Sequence, residues 1–380
     1  MNETPNSFLQ GFREAHGATM GKLAGMPAAL DFGAVEAETE ALRQRFGLVE
    51  REASGVILVR GGDAATFLNG LTTNDVQHLS PGKAQPNLLC ANKGKILHPV
   101  EIVRAKAEQF LIVCQPGSLE EVAGHLEAYL IREDVELGRV GLVRLDPIGP
   151  GAAPAVEALG HSISAGVGAY NEAPVLTLDH ALGDLPRVMV LLPGPVAGQW
   201  AEAVLERAPE GRPVGNSALE EARIGARVPH FGVDYGTEHL PAEAGLHHRI
   251  SFDKGCYVGQ EIHARLHYRG HVNRKLVALD LPAAGPDAQI SAQSSAQSSV
   301  QSSVQSSVVA GQPGAPLHQH GKQVGALTSI GRIHLEGRMR GIAMVRHEAI
   351  QDGGDLSFEA DGPPEIAIGP LATDLGGGRQ

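Results

Sequence analysis

The segment richest in possible chemistry is an octapeptide, Lys254–Glu261, which reads Lys-Gly-Cys-Tyr-Val-Gly-Gln-Glu. Gly259 is suited to cap a helix that begins just after it, so Cys256 precedes the first turn and Lys254 stands nearby. Helix amides and a neighbouring cation both favour a thiolate. The segment therefore predicts a reactive thiol at Cys256, assisted by Lys254. The alternative is a small buried residue, which is how free cysteines usually behave.

The other two cysteines indicate a different environment. Cys90 and Cys114 lie in apolar, strand-like contexts, where burial disfavours the thiolate. No two cysteines form a C-x-x-C pair, so we expect the chain to hold neither a metal nor a cluster of its own. His263 and His267 are four residues apart on a predicted helix, but no third ligand stands at a familiar spacing.

Four further polar residues are candidates for ligand binding. Asn74 and Asp75 follow a predicted helix in a polar turn, and they either face a ligand or shape the turn through side chain–backbone bonds. Gln260 and Glu261 occupy the first turn of the helix after the thiol. We expect these four residues to contact a ligand.

Arg223 is the candidate anchor for a carboxylate tail, because a guanidinium fork matches a carboxylate. The alternative is an ion pair within the chain, to Glu220 or to another acid. A basic stretch from Arg265 to Lys275 could meet phosphate or RNA, or could be a solvated face. The net charge of −12 makes direct nucleic-acid binding an unlikely role, because such binding depends on cationic surface.

These residues need a scaffold of strands and helices to position them. The pattern predicts a helix over Asp63–Leu71 before the polar turn, and paired strands at Leu88–Cys90 and Ile96–Val103 around a turn at Asn92–Lys95. It also predicts a helix over Val35–Phe46 that Gly47 caps. Strands and helices alternate irregularly, which favours an α+β fold.

The remaining elements follow the same irregular order. The sequence predicts further strands and helices, and these are Val56–Val59, Phe110–Cys114, Leu119–Leu130, Val140–Leu145, Val188–Leu192, Pro195–Arg207, Gly259–Leu266, Lys275–Leu281, Gln323–Ser329 and Gly341–Val345.

Length and composition indicate a globular protein of more than one domain. The chain has 380 residues, of which 42% are hydrophobic and 19% charged. It shows no signal peptide and no apolar run of about 18 residues, so we expect a cytoplasmic protein with no membrane association. Gln293–Val308 repeats Gln-Ser-Ser, which is typical of a flexible loop.

Several motifs together resemble the YgfZ family, folate-binding relatives of the glycine-cleavage T-protein. The octapeptide matches the family's K-G-C-[FY]-x-G-Q-E signature, and Phe67–Val76 resembles its FL-x-G-x-x-TNDV segment. Arg223-Ile224-Gly225 with Val228-Pro229, and Val324–Ser329, resemble two further stretches. The resemblance covers roughly residues 27–350.

The resemblance implies an architecture. It comprises an extension over 1–26 and a T-protein-like folate-binding body over 27–274, with two subdomains around a central opening. A small C-terminal β-barrel follows over 275–370, with a Gln/Ser-rich insert at about 286–311, and the chain ends in a disordered tail over 371–380.

The resemblance also implies a function. It points to an accessory protein that binds tetrahydrofolate or a one-carbon derivative and supports iron–sulfur proteins, including tRNA-modifying enzymes. Its partners would be those enzymes or cluster-assembly proteins, and we expect no conventional turnover. The alternatives are an aminomethyltransferase-type folate enzyme, acting in glycine cleavage or demethylation, and a scaffold without a ligand.

Two positions argue against aminomethyl transfer. Where T-proteins carry two consecutive aspartates, one of them catalytic, this chain has His98 and Pro99, which supply no carboxylate. These two residues either replace the aspartates in some other role or are surface strand residues without a ligand. Where T-proteins grip the pterin with a glutamate, this chain has Val188 and Met189.

Overall fold

A computed structural model describes residues 7–163, 167–179, 181–282, 312–333 and 338–375. The Gln/Ser-rich insert and the last five residues, on which two of the sequence predictions fall, lie outside these ranges. The described chain divides into two compact units. One unit runs to Ala222 and adds Gly236–Ala242 and Leu246–Gly270, and the other holds Arg223–Tyr235, Glu243–Gly245 and the residues from His271 onward.

The first unit contains most of the secondary structure. Its strands are β1 (Thr19–Leu23), β2 (Met26–Asp31), β3 (Gly47–Glu50), β4 (Val56–Arg60), β5 (Lys83–Cys90), β6 (Ile96–Lys106), β7 (Gln109–Val113), β8 (Glu136–Val140), β9 (Leu142–Ile148), β10 (Val167–Tyr170), β11 (Ala173–Asp179), β12 (Val188–Pro193) and β13 (Arg212–Val214). Its helices are α1 (Gln10–Ala15), α2 (Val35–Gln44), α3 (Ala64–Leu71), α4 (Leu119–Glu127), α5 (Ala152–Glu157), α6 (Gly194–Arg207), α7 (Asn216–Gly225, which continues into the second unit) and α8 (Gln260–Arg269).

Two sheets organise this unit. The first sheet has the order β5-β6-β7-β4-β8, and the second sheet has the order β10-β11-β12-β9-β3-β13. Helices α3 and α4 cover the outer face of the first sheet, and α1, α5 and α6 cover the outer face of the second. Apolar side chains of both sheets, such as Val103 and Leu191, pack in one further cluster. The inner faces of the two sheets therefore meet each other.

The N-terminal residues are part of this core. The sequence suggested an extension over 1–26, but residues 10–15 form α1 and a hairpin of β1 and β2 follows. Leu9 and Phe12 are buried in the cluster beneath the second sheet. Their large apolar side chains find a partner in that core, which a single sequence does not reveal.

The second unit is built on one antiparallel sheet. Its order is β15-β16-β17-β14-β18, with β14 (Arg274–Pro282), β15 (Pro316–Gln319), β16 (Lys322–Ile330), β17 (Arg338–Arg346) and β18 (Ala367–Gly369), and helices α9 (His347–Asp352) and α10 (Ala372–Leu375) accompany it. Bridges at Ser357 and Ile366 curl it into a half-barrel, a coarser arrangement than the small barrel predicted.

Most predicted elements are present with shifted ends. The strands around the Asn92–Lys95 turn pair as β5 and β6, and Gly259 caps α8 as predicted. Gly47 does not cap a helix, because α2 ends at Gln44 and Gly47 begins β3. A side chain there would meet Val214 and Leu42 within 3 Å, so close packing explains this glycine.

Candidate functional site

The octapeptide folds as a loop that packs on the turn between β5 and β6. Gly259 has φ +88°, and a Cβ there would come within 2.8 Å of the Ala91 carbonyl oxygen. Glycine is therefore required for both its backbone conformation and its lack of a side chain. Gln260 is half-buried and Glu261 is exposed in the first turn of α8, where their predicted contact with a ligand remains a prediction.

Lys254 is buried and pins this loop to the segment after α3. Its Nζ donates to the carbonyl oxygens of Asn69, Thr72 and Asn74 at 2.6, 2.7 and 2.9 Å. Burial lowers the pKa of Lys254 to about 8, although the nearby carboxylate of Asp75 raises it. An ammonium has three donors, and all three are used. The predicted effect of the Lys254 charge on the Cys256 thiol stays a prediction.

The three cysteines fall into two classes. Cys256 is exposed, and Cys90 and Cys114 are buried in the first sheet. Burial raises the pKa of both buried thiols to about 12, which confirms the predicted effect of their apolar surroundings. The higher reactivity of Cys256 stays a prediction that its exposure favours.

His263 joins α8 to the same turn rather than binding a metal. Its Nε2 lies 2.7 Å from the Gly94 carbonyl oxygen, and its Nδ1 lies 3.1 Å from the Tyr257 hydroxyl. Nε2 therefore carries the proton, and Nδ1 accepts from the tyrosine. Burial lowers the pKa of His263, and the bond to Gly94 raises it. His267 instead stacks on Phe252, with ring centroids 3.9 Å apart.

Asn74 and Asp75 shape the turn after α3. The Asn74 side chain donates to the Pro86 carbonyl and accepts from the Asp75 amide. Asp75 accepts from the amide of His78 and pairs with its ring, and these bonds hold the pKa of Asp75 below its ordinary value despite burial. Every one of these contacts fits the turn-shaping alternative.

Arg223 is committed to an ion pair within the second unit. Its Nη1 lies 2.7 Å from Asp234 Oδ2, and both side chains are buried. Asp234 Oδ1 also accepts from the hydroxyls of Thr328 and Ser329, each at 2.6 Å. Two of the resemblance motifs thus meet in one buried network. This ion pair is of the kind that the sequence left open as the alternative, an intramolecular pair with an acid, and the role of Arg223 as an anchor for a carboxylate tail stays a prediction.

The residues at the aspartate positions point to opposite faces of β6. His98 Nε2 lies 3.5 Å from Glu121 of α4, on the outer face. Because alternate side chains share a face, Pro99 and Glu101 point to the inner face. His98 is half-buried, not a surface residue, and burial lowers its pKa, although Glu121 raises it. The inner face therefore has proline at the second aspartate position.

The pterin position is equally apolar. Met189 is fully buried, in the apolar cluster between the two sheets, and Val188 is buried beneath the second sheet. Neither side chain can accept the paired hydrogen bonds of a pterin. Both marker positions, Pro99 and Met189, nevertheless lie on the facing surfaces of the two sheets.

Beside this apolar cluster, the inter-sheet space is cationic. Four arginines of the first unit meet there, and we name them the inter-sheet arginine cluster: Arg51, Arg144, Arg187 and Arg249.

Two carboxylates compensate part of this charge. Arg144 forms a bidentate pair with Asp146, at 2.8 and 2.6 Å, and Arg187 lies 3.7 Å from the same carboxylate. Arg249 Nη2 lies 3.0 Å from Glu101 Oε1. Burial lowers the pKa of Arg187 to about 10 in spite of Asp146.

Arg51 follows β3 and faces the same space. Burial and the charge of Arg144 together lower the pKa of Arg51 to about 10, although Asp146 raises it. The sequence analysis did not identify this cluster. The available signal was the Arg-x-Asp alternation of Arg144 and Asp146 inside an otherwise apolar strand, which places two charges on one face.

Among the residues that the structure describes, no group of three or more His, Cys, Asp or Glu side chains could hold a metal ion. In the same ranges, no helix is both long and apolar enough to cross a membrane.

Comparisons with known proteins relate the chain to aminomethyltransferases. Residues 9–178 match the family model of the GCVT N-terminal domain. The aminomethyltransferase of Desulfitobacterium hafniense (strain DSM 10664 / DCB-2) is 27% identical over 280 residues, which cover 71% of this chain and 76% of that protein. That of Thermotoga petrophila is 28% identical over 288 residues, covering 70% and 75%.

A solved structure shows the same fold. The crystal structure of glycine cleavage system aminomethyltransferase T from Bartonella henselae superposes with a TM-score of 0.78 at 19% identity, covering 96% of this chain and 97% of that one. None of these findings singles out the YgfZ branch. The domain match and the relatives therefore make this chain similar to aminomethyltransferases, and the superposition shows that it has the fold of glycine cleavage system aminomethyltransferase T.

Proposed function

We propose that this chain binds a folate-type ligand and acts as an accessory protein for iron–sulfur proteins, without aminomethyl transfer. The observation that carries the proposal is the inner face of β6, where Pro99 stands at the second aspartate position and the one other aspartate position, His98, points outward. Proton management at the folate nitrogen needs a carboxylate there. Glu101, two residues further on the inner face, is ion-paired with Arg249.

The residues present fit one end of a folate-type ligand and not the other. Met189 offers no acceptor for the pterin's donors. The inter-sheet arginines suit the carboxylates at the opposite end, because the guanidinium fork binds carboxylates in pairs of hydrogen bonds. Ligand binding is therefore supported more strongly than turnover.

The iron–sulfur role rests on the octapeptide. Its resemblance to the YgfZ signature is the source of this part of the proposal, and the exposure of Cys256 supports it. An exposed thiol can reach a partner protein, and a thiolate is a ligand for iron.

Aminomethyl transfer is the second candidate function. The curated relatives named above carry that activity in their names, and they align with about seven tenths of this chain. The candidate requires another group to take the role of the missing carboxylate.

One pair of measurements on the purified protein separates the two functions. We expect equilibrium dialysis to detect binding of tetrahydrofolate, and we expect aminomethylated carrier protein to release no ammonia. Release at ordinary enzyme rates, about 1–1,000 per second, would establish the second candidate instead. Absence of tetrahydrofolate binding would overturn the ligand part of the first.

The accessory role needs a cellular test. In a cell that lacks its own homologue, we expect the chain to restore the activity of iron–sulfur enzymes and Cys256→Ser to restore less. Equal restoration by both proteins would remove Cys256 from the role, and no restoration by either would overturn it.

A further inference from the structure

We propose that the inter-sheet arginine cluster is a binding site for an oxyanion, a carboxylate or phosphate group of a small molecule. Its identification with the carboxylate end of a folate-type ligand rests on the proposed function, but the oxyanion site itself does not.

The charge of Arg51 has no ion-pair partner among the described residues. Of the nearby carboxylates, Asp146 binds Arg144 and Glu101 binds Arg249. Glu50 also attracts Arg51, but its carboxylate is bound by Arg13. Glu220 exerts the weakest of the electrostatic effects on Arg51. Buried charge is costly unless it is paired, so an anion that enters this space is stabilised there.

The guanidinium group of Arg51 has the fewest contacts that compensate its charge. Within the described ranges its guanidinium forms no ion pair and no hydrogen bond, and its Nε is buried without an acceptor. The Nε of Arg249 is likewise buried without an acceptor, although its Nη2 binds Glu101. Both atoms are donors, which is the type of group that an oxyanion requires.

The cluster is not sealed within its own unit. The side chains of Arg187 and Arg249 keep 13% and 15% of their surface exposed, whereas Arg144 and Asp146 keep 6% and 2%. The well-paired arginine thus lies deep, and two others border solvent. This difference in exposure gives a small anion a route from solvent to Arg187 and Arg249. The pair of Arg144 and Asp146 forms the buried end of the site.

The lowered pKa values of Arg51 and Arg187, each about 10, agree with this geometry. Both groups remain cationic at neutral pH, so the site is positive under ordinary conditions. Buried charges are screened less by salt than exposed ones, so we expect anion binding to survive moderate ionic strength.

The test compares Arg51→Met with a matched control, Arg139→Met. Methionine keeps the length of the side chain and removes the charge, and Arg139 is an exposed arginine that pairs with Glu120 and Glu127. Inorganic phosphate at constant ionic strength should raise the thermal midpoint of the wild type and of Arg139→Met, but not that of Arg51→Met. The dissociation constant for tetrahydrofolate should rise about tenfold or more in Arg51→Met only.

Two further binding measurements distinguish the carboxylate end of a folate-type ligand from a free phosphate as the bound oxyanion. Phosphate should compete with tetrahydrofolate, and a reduced pterin without the benzoylglutamate tail should bind weakly and without competition from phosphate. These measurements use the wild-type protein, so they remain decisive if a variant does not fold.

The outcomes distinguish this site from the proposed function. Tetrahydrofolate binding that neither Arg51→Met nor phosphate affects would overturn the oxyanion site and leave the proposed function standing. Phosphate stabilisation that depends on Arg51, without any binding of tetrahydrofolate, would support the site and overturn the folate proposal. No phosphate effect and no tetrahydrofolate binding would overturn both.

Discussion

Two buried cationic regions of the first unit differ in how their charge is satisfied. Around Lys254, a single ammonium has three carbonyl acceptors for its three donors. In the inter-sheet arginine cluster, Arg51 forms no ion pair among the described residues, and its Nε is buried without an acceptor. A buried cation whose donors all have acceptors holds loops together. A buried cation with donors that lack acceptors remains able to bind an anion.

The same contrast favours the inter-sheet arginine cluster over the octapeptide as the candidate binding site. The octapeptide contains most of the residues whose types suggest chemistry, yet Lys254 and His263 in and beside it are engaged in structural contacts. In the inter-sheet arginine cluster, by contrast, Arg51 lies just after β3 and has no ion-pair partner among the described residues. The same replacement, a cation by methionine, should therefore have opposite effects in the two regions.

Lys254→Met should give the largest loss of stability. It leaves three buried carbonyl oxygens without a donor, and each such group costs about 1–3 kcal/mol, so we expect a loss of about 3 kcal/mol or more. Urea unfolding followed by circular dichroism measures it. Lys93→Met, at an exposed position of the β5–β6 turn, is the control and should change stability by less than about 0.5 kcal/mol. Equal stability of the two variants would show that the carbonyl contacts contribute nothing.

Arg51→Met should leave the free energy of unfolding unchanged or raise it by about 1 kcal/mol. It removes a buried charge that lacks a carboxylate partner, and apolar replacement of poorly paired buried charge is often neutral or stabilising. The same urea experiment without added anions measures it. A loss as large as that of Lys254→Met would show that Arg51 already has a partner, and the contrast between the regions would fail.

The pH dependence of stability should identify His263. Burial lowers its folded pKa below the unfolded value of about 6.5, so the unfolded state binds more protons as the pH falls through and below 6.5. Its contribution is therefore present above pH 6.5 and lost toward pH 5. In His263→Gln this loss should be smaller by about 1 kcal/mol.

The control for this measurement is His320→Gln, at an exposed residue of the second unit. It should retain the acid loss of the wild type. Parallel pH profiles for the wild type and His263→Gln would assign the acid sensitivity to other histidines.

Replacement of Cys256 should have the smallest effect on stability. Cys256→Ser changes an exposed side chain, so we expect a change within about 0.5 kcal/mol. Iodoacetamide labelling at pH 8, read by mass spectrometry, should modify Cys256 in the native protein and Cys90 and Cys114 only after unfolding. Early labelling of either buried thiol would contradict the assignment of their environments.

Local sequence determined the elements and the turns between them. Gly259 as the cap of α8, the Asn92–Lys95 turn and the start of α6 could be predicted because each depends on a few neighbouring residues and their backbone preferences. The sequence also predicted that the paired aspartates are replaced by His98 and Pro99, and that assignment stays a prediction. It placed Gly47 wrongly, because the reason for that glycine is Val214, far away in the chain.

The tertiary structure decided which polar groups are satisfied. Arg223 pairs with Asp234, Lys254 binds three carbonyl oxygens of a segment about 180 residues earlier, and Arg144 of β9 and Arg187, just before β12, lie near Glu101 of the other sheet. None of these partners is adjacent in sequence. The free energy of a buried charge depends on every group within a few ångströms, and only the folded chain brings those groups together.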